Sequence, residues 1–76
     1  MSRFPAHTRR IVQAIAAARK EAKVSGRALS RKLKQDHTYI SRIEKMQRGV
    51  SAAEIAEIAR ALGHDPADFY SKTLRR

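Results

Sequence analysis

The 76-residue chain contains no cysteine and no tryptophan. Without cysteine there are neither disulfides nor thiolate zinc sites, in keeping with a reducing compartment. Only four residues are aromatic, Phe4, Tyr39, Phe69 and Tyr70, too few for the stacking platform that grips single-stranded nucleic acid. No run approaches the roughly 20 apolar residues of a membrane span, and the N-terminus lacks the apolar core of a signal peptide. A cytoplasmic location is the expectation. Neither strand-type alternation nor an Asn-Gly hairpin signal is visible. The three histidines, His7, His37 and His64, share no metal-ligand spacing, so no metal and no cofactor is expected. Serine, histidine and aspartate are all present, but nothing in their spacing activates a nucleophile, and enzymatic activity is not expected. A chain this short makes one domain and buries only about 60% of its unfolded surface, which leaves modest stability.

Acidic residues are scarce in the first two thirds of the chain. Residues 1–48 hold thirteen Lys/Arg against Glu21, Asp36 and Glu44, a net of +10, whereas residues 49–76 hold four charges of each sign. The whole formal charge of the molecule therefore lies on one segment, which favours a polyanionic partner over a uniformly basic surface.

What the chain does contain is helix punctuation. Thirteen of its apolar residues are alanine, a composition suited to short helices packed through small side chains. A first helix is predicted from Thr8 to Ala22, with Ile11, Ile15 and Ala18 on one face. Ser25 caps a second, which carries Leu29 and Leu33 at i, i+4. Asp36 is a good N-cap for a third, which buries Ile40 and Ile43 and runs to about Met46. Ser51-Ala52-Ala53-Glu54 is a capping box opening a fourth helix with Ile55, Ile58, Ala59 and Leu62 at helical spacing and Gly63 as its stop. Asp65-Pro66 starts a short fifth helix anchored by Phe69. The resulting division is a flexible arm at 1–7, a folded domain at 8–70 and a flexible basic tail at 71–76.

Ser25 to Glu44 holds most of the functional information. It reads as two short amphipathic helices joined by a tight polar turn, the arrangement of a helix-turn-helix that reads DNA. With Ile40 and Ile43 turned inward, His37, Thr38, Ser41 and Arg42 fall on or near the outward face, where a groove can receive them.

From about Ile11 to Phe69 the chain resembles the phage-repressor and Cro-like helix-turn-helix domains of the XRE family. The resemblance rests on Arg19 late in the first helix, on Leu29 and Leu33, on the run Ile40-Ser41-Arg42-Ile43-Glu44, and on Ile58-Ala59-Arg60-Ala61-Leu62-Gly63 with Asp65-Pro66 beyond. It implies an all-α, compact five-helix, lambda-repressor-like fold. Four positions depart from the pattern. Lys23 and Lys34 stand where the family often has glycine, which makes both candidates for a left-handed backbone. Ser30 replaces a usual alanine, and Gln35 replaces a usual apolar residue in the turn.

The resemblance also implies roles. His37, Thr38, Ser41 and Arg42 match the positions that reach base edges in the major groove, with Arg42 suited to guanine O6 and N7. Phosphate contacts are expected from the amides around Gly26 and Arg27, from Lys45, Gln47 and Arg48 after the reading helix, and from Tyr39, for which packing is an equal alternative. An ion pair between Arg19 and Glu44 is expected to tie the reading helix to the scaffold. A homodimer on a palindromic operator is the implied assembly, acting as a transcriptional repressor, with Val50, Phe69, Tyr70 and Leu74 as candidates for the contact or, equally, for closing the core. The alternative is an antitoxin-type or restriction-modification controller protein that holds a protein partner as well as its own promoter.

Overall fold

The computed structural model describes the backbone of residues 6–74. Five helices occupy them: α1 Ala6–Glu21, α2 Gly26–Lys32, α3 Tyr39–Glu44, α4 Ala52–Ala61 and α5 Pro66–Leu74. The described residues contain no strand, and the expected all-α five-helix architecture is the one found. Three boundaries differ from the sequence reading. α1 begins at Ala6, so residues 6 and 7 belong to the helix and not to an arm. α5 continues to Leu74, so residues 71–74 prolong the helix instead of forming a tail; within it the Thr73 hydroxyl donates back to the Phe69 carbonyl at 2.7 Å. α3 is only six residues long, and the expected span of 37–46 includes turns on both sides. The rest of the arm, residues 1–5, the tail at 75–76 and the side chain of Leu74 lie outside the described residues.

One apolar cluster unites the helices. Ile11, Val12, Ile15 and Ala18 come from α1, Leu29 from α2, Tyr39, Ile40 and Ile43 from α3, Ile55, Ile58 and Ala59 from α4, and Phe69 from α5. Ile15, Leu29, Ile40, Ile43 and Ile58 are completely buried, and each contributes about 1.5–3 kcal/mol relative to an exposed position. Val12 widens the α1 stripe beyond the three residues read from the sequence. Leu33 and Leu62, expected in the core, pack at its edge because each is the C-cap of its helix. α2 packs mainly on α3, α5 lies across α1 and α4, and α1 also supports α3. The α2–α3 pair is therefore supported through α1, which α5 joins to α4.

Local chemistry starts and stops these helices where the sequence says. The Ser25 hydroxyl accepts the Ala28 amide at 3.0 Å. Ser51 and Glu54 exchange both bonds of the capping box, at 2.9 and 3.1 Å. Asp65 accepts the Asp68 amide at 3.0 Å, with Pro66 as the first helical residue of α5.

The first four helices share one exit. At each, the residue beyond the C-cap turns left-handed: Lys23 at φ 59°, Lys34 at 59°, Met46 at 60° and Gly63 at 85°. The next amide then bonds five residues back, as Val24 to Arg19, Gln35 to Ser30, Gln47 to Arg42 and His64 to Ala59, which is the Schellman closure. Three of these corners are made by side chains that carry a Cβ penalty of roughly 1–2 kcal/mol there. Lys34 is exposed, so Lys34→Gly is expected to relieve that strain against a smaller cost from the greater entropy of the unfolded chain, a net gain of about 0.5–1 kcal/mol. A thermal melt a few degrees above the parent is the expected result, and an unchanged or lower midpoint contradicts it.

Candidate nucleic-acid interface

The turn between α2 and α3 is built by side-chain oxygens. Asp36 does not cap α3 itself. Its carboxylate accepts the Thr38 amide at 3.0 Å and the Thr38 hydroxyl, while its carbonyl accepts the Tyr39 amide at 2.9 Å. This wraps residues 36–38 into a turn that delivers the chain to α3. Thr38 then stands as N-cap without a side-chain cap bond, because its hydroxyl is turned towards Asp36. The two Thr38 bonds hold the Asp36 carboxyl below its ordinary range. His37 projects beside it, with Nδ1 3.6 Å from the carboxylate and a side chain 62% exposed.

The missing cap arrives from the neighbouring helix. Ser30, completely buried, donates its hydroxyl hydrogen to the Gly26 carbonyl at 2.8 Å and accepts the Ile40 amide at 3.0 Å. Sequence reasoning recorded Ser30 only as a departure from alanine. The available signal was a hydroxyl on the inward side of an amphipathic helix, where it must bond to backbone. Gly26 approaches α3 closely, and a Cβ there would lie 3.6 Å from Ile40 Cγ2, an ordinary contact.

Six of the residues assigned to DNA line one concavity. Gly26 and Arg27 from α2, His37 and Thr38 from the turn, Ser41 from α3 and Lys45 just after it surround this hollow, with Arg19 and Glu44 also on its wall. Arg42 is exposed and follows Thr38 by four residues, so it flanks the same face. Gln47 is exposed in the loop beyond.

Two of the expected phosphate contacts are placed differently. Tyr39 is 6% exposed and belongs to the core, and burial raises its phenol pKa. The Arg48 guanidinium lies over its ring, 4.8 Å from the centroid, and is chelated by Glu54 at 3.2 and 3.0 Å. Arg48 thus pins the loop after α3 onto the start of α4. Lys32, to which no specific role was attached, donates to the Ala61 carbonyl at 3.0 Å and closes the C-terminal end of α4.

Arg48, followed by the Ser51 amide, holds the Glu54 carboxyl at about 2, down from 4.5. A carboxyl with a lowered folded-state pKa stabilises above its unfolded value, and that stability disappears as pH falls through the folded value. The pair is partly solvated, with side chains 38% and 26% exposed, which screens the contribution to about 1 kcal/mol. Denaturant unfolding of the parent and Glu54→Gln should therefore differ at pH 6 and converge between about 4.5 and 2. A gap that persists at pH 2 contradicts the assignment.

Arg19 and Glu44 meet in a bidentate pair, Nε to Oε2 at 2.6 Å and Nη2 to Oε1 at 2.9 Å. Arg19 Nη1 also donates to the Val24 carbonyl at 2.9 Å. One guanidinium thereby joins the end of α1, the α1–α2 loop and the end of α3. The hydrogen bonds to Glu44, and then its negative charge, raise the pKa of Arg19.

The neutral C-terminal third of the chain presents a different surface. A groove between α4 and α5 is lined by Ala52, Ile55, Ala56, Pro66, Ala67 and Tyr70, and Tyr70 is 41% exposed. Val50 packs at the core edge. Phe69, considered for a subunit contact, is 7% exposed and faces the ring of His64 at 5.5 Å, so it closes the core. No cluster of three metal-ligating side chains occurs among the described residues, and no described helix is long and apolar enough to cross a membrane.

Residues 15–69, from the middle of α1 to the first half of α5, match the family profile described as Helix-turn-helix. The chain belongs to the XRE-type helix-turn-helix family. Two solved structures share its architecture. An XRE-family-like protein from Pseudomonas syringae pv. tomato superposes with a TM-score of 0.84 at 24% identity, over 90% of this chain and 83% of that one. The clp gene regulator ClgR from Corynebacterium glutamicum superposes with a TM-score of 0.78 at 25% identity, over 91% and 73%. No curated protein sequence matches. As an XRE-type domain the chain is a double-stranded-DNA-binding module of the transcription-regulator class, and α2 and α3 are its helix-turn-helix.

Proposed function

We propose that this XRE-type domain is a sequence-specific transcriptional repressor that binds a palindromic operator in the cytoplasm as a homodimer. The observation that supports it most is the convergence of Gly26, Arg27, His37, Thr38, Ser41 and Lys45 on one hollow, beside exposed Arg42, within the first two thirds of the chain, which bear all of its net charge. His37, Thr38, Ser41 and Arg42 supply base contacts as the N-terminal part of α3 enters a major groove. Gly26, Arg27, Lys45 and Gln47 take phosphates on either side. Tyr39 and Arg48 serve the fold instead. The groove of Ile55, Ala56 and Tyr70, with Val50 two residues before α4, receives the second copy, because a neutral surface avoids the self-repulsion of two basic N-terminal segments. Half-sites then lie about 34 Å apart.

Selection of bound duplexes from a random pool at two salt concentrations tests this reading. An enriched palindrome that survives higher salt is expected. Salt-sensitive binding without enrichment would overturn sequence specificity, and an enriched single half-site would overturn the dimer. An antitoxin-type role is favoured only if a second small protein co-purifies on the α4–α5 groove.

A further inference from the structure

We propose that Ser30 is a positioning residue for base discrimination: from inside α2 its hydroxyl caps α3 and sets the angle at which the reading side chains meet DNA. This rests on the DNA-binding reading above. α3 has six residues, too few to hold a helix or an orientation unaided. Its underside is fixed by Ile40 and Ile43, both fully buried, and its C-terminal end by the Arg19–Glu44 pair. Its N-terminal end is packed through Tyr39 and Ile40 and met by the Asp36 carbonyl at the Tyr39 amide, contacts to which Ser30 adds a directional bond from α2. Its own N-cap makes no side-chain cap bond. The Gly26 carbonyl, the Ser30 hydroxyl and the Ile40 amide form a continuous relay from the first turn of α2 to the first turn of α3, and Ser30 supplies its central atom.

Helix propensity within α2 does not explain a serine at this site. Alanine has the higher helix propensity and nearly the same volume, and it would leave the Gly26 carbonyl in its helix. What alanine cannot do is accept the Ile40 amide. The relay ties two functions together, because Gly26 lies among the phosphate-facing groups and Ile40 sits between Thr38 and Ser41. Loosening it frees the reading end of α3 while leaving Arg27 and Lys45, which supply sequence-independent attraction, in place.

The test uses the parent, Ser30→Ala and Ser30→Cys, with Ile58→Val as a control weakened in α4 away from the interface. Each is titrated with the duplex enriched from the random pool and with a scrambled duplex of the same composition, at a temperature where circular dichroism shows full helix content. The ratio of the two affinities is the readout, together with hydrogen exchange at the Ile40 amide. In Ser30→Ala the ratio falls about tenfold, the lower end of what one displaced base contact contributes to discrimination. Scrambled-duplex affinity stays within about twofold of the parent, since its phosphate contacts are unchanged. Ile40 exchange accelerates, and Ile58→Val keeps the parent ratio. Ser30→Cys keeps the volume with a weaker acceptor and gives an intermediate ratio, which supplies the result if the alanine variant does not fold. A preserved ratio in Ser30→Ala or Ser30→Cys, with faster Ile40 exchange, overturns the positioning role and leaves DNA reading intact. A parent that enriches no duplex overturns the reading itself, and this role with it.

Discussion

Glu44→Gln is expected to cost about 3 kcal/mol of stability or more, the range measured when one partner of a buried ion pair is removed. The geometry justifies the upper part of the scale. The Arg19 and Glu44 side chains are only 15% and 16% exposed, against 38% and 26% for Arg48 and Glu54, so water cannot compensate the orphaned guanidinium as readily. The pair is also bidentate, and a neutral amide opposite Arg19 returns one acceptor where the carboxylate gave two. A domain of this size has of order 5–10 kcal/mol in total, so the loss moves the melting midpoint by well over 10 °C. A thermal melt coincident with the parent would sink this assignment. The double variant Arg19→Met with Glu44→Leu should recover part of the loss, because an apolar pair removes both desolvation costs together; the Val24 carbonyl, deprived of its bond from Arg19, limits the recovery.

Arg42→Ala is expected to weaken binding to the enriched duplex by roughly 10- to 100-fold and to relax preference at a single base pair, as loss of a bidentate guanine contact does. The side chain is exposed, and only its carbonyl is engaged in closing the helix end, through the Gln47 amide at 2.9 Å. Alanine therefore leaves the fold in place, and binding reports the contact alone. Titration against the enriched and the scrambled duplex separates the outcomes. A loss confined to the enriched duplex supports base reading. An equal loss on both, with a shallower salt dependence, would make Arg42 a phosphate clamp.

The parts of the fold legible in the sequence were those set by neighbours along the chain. Ser25, the Ser51–Glu54 box and Asp65-Pro66 act within three residues of themselves, so side-chain type alone locates them. The isoleucine spacing of α3 gives its buried face for the same reason. Asp36 misled because a carboxylate can accept the amide two residues on as well as three, and with Thr38 supplying a hydroxyl the tighter turn wins and delays α3. The end of α5 was missed because Ser71, Lys72 and Thr73 carry no apolar signal, although Lys72 pairs with Asp68 at 3.1 Å within the helix. Met46 gave no warning of a left-handed corner, since nothing in its chemistry favours one. In the interface, periodicity marked the outward residues of α3, while Arg48 resembled any basic loop residue. Its commitment to Glu54 and Tyr39 depends on how the loop folds back, which no local pattern encodes. The role of Ser30 is likewise tertiary, because its second partner lies ten residues away on another helix.

The clamp on α3 and its outward face share no side chain. Ser30, Ile40, Ile43, Arg19 and Glu44 hold the helix, whereas His37, Thr38, Ser41 and Arg42 face out from it. Substitutions at His37, Ser41 and Arg42 therefore leave that clamp intact, whereas Thr38, whose amide and hydroxyl bond Asp36, also shapes the turn into α3. The same separation makes the domain a practical starting point for libraries in which His37, Ser41 and Arg42 are randomised and the five clamping residues are left alone.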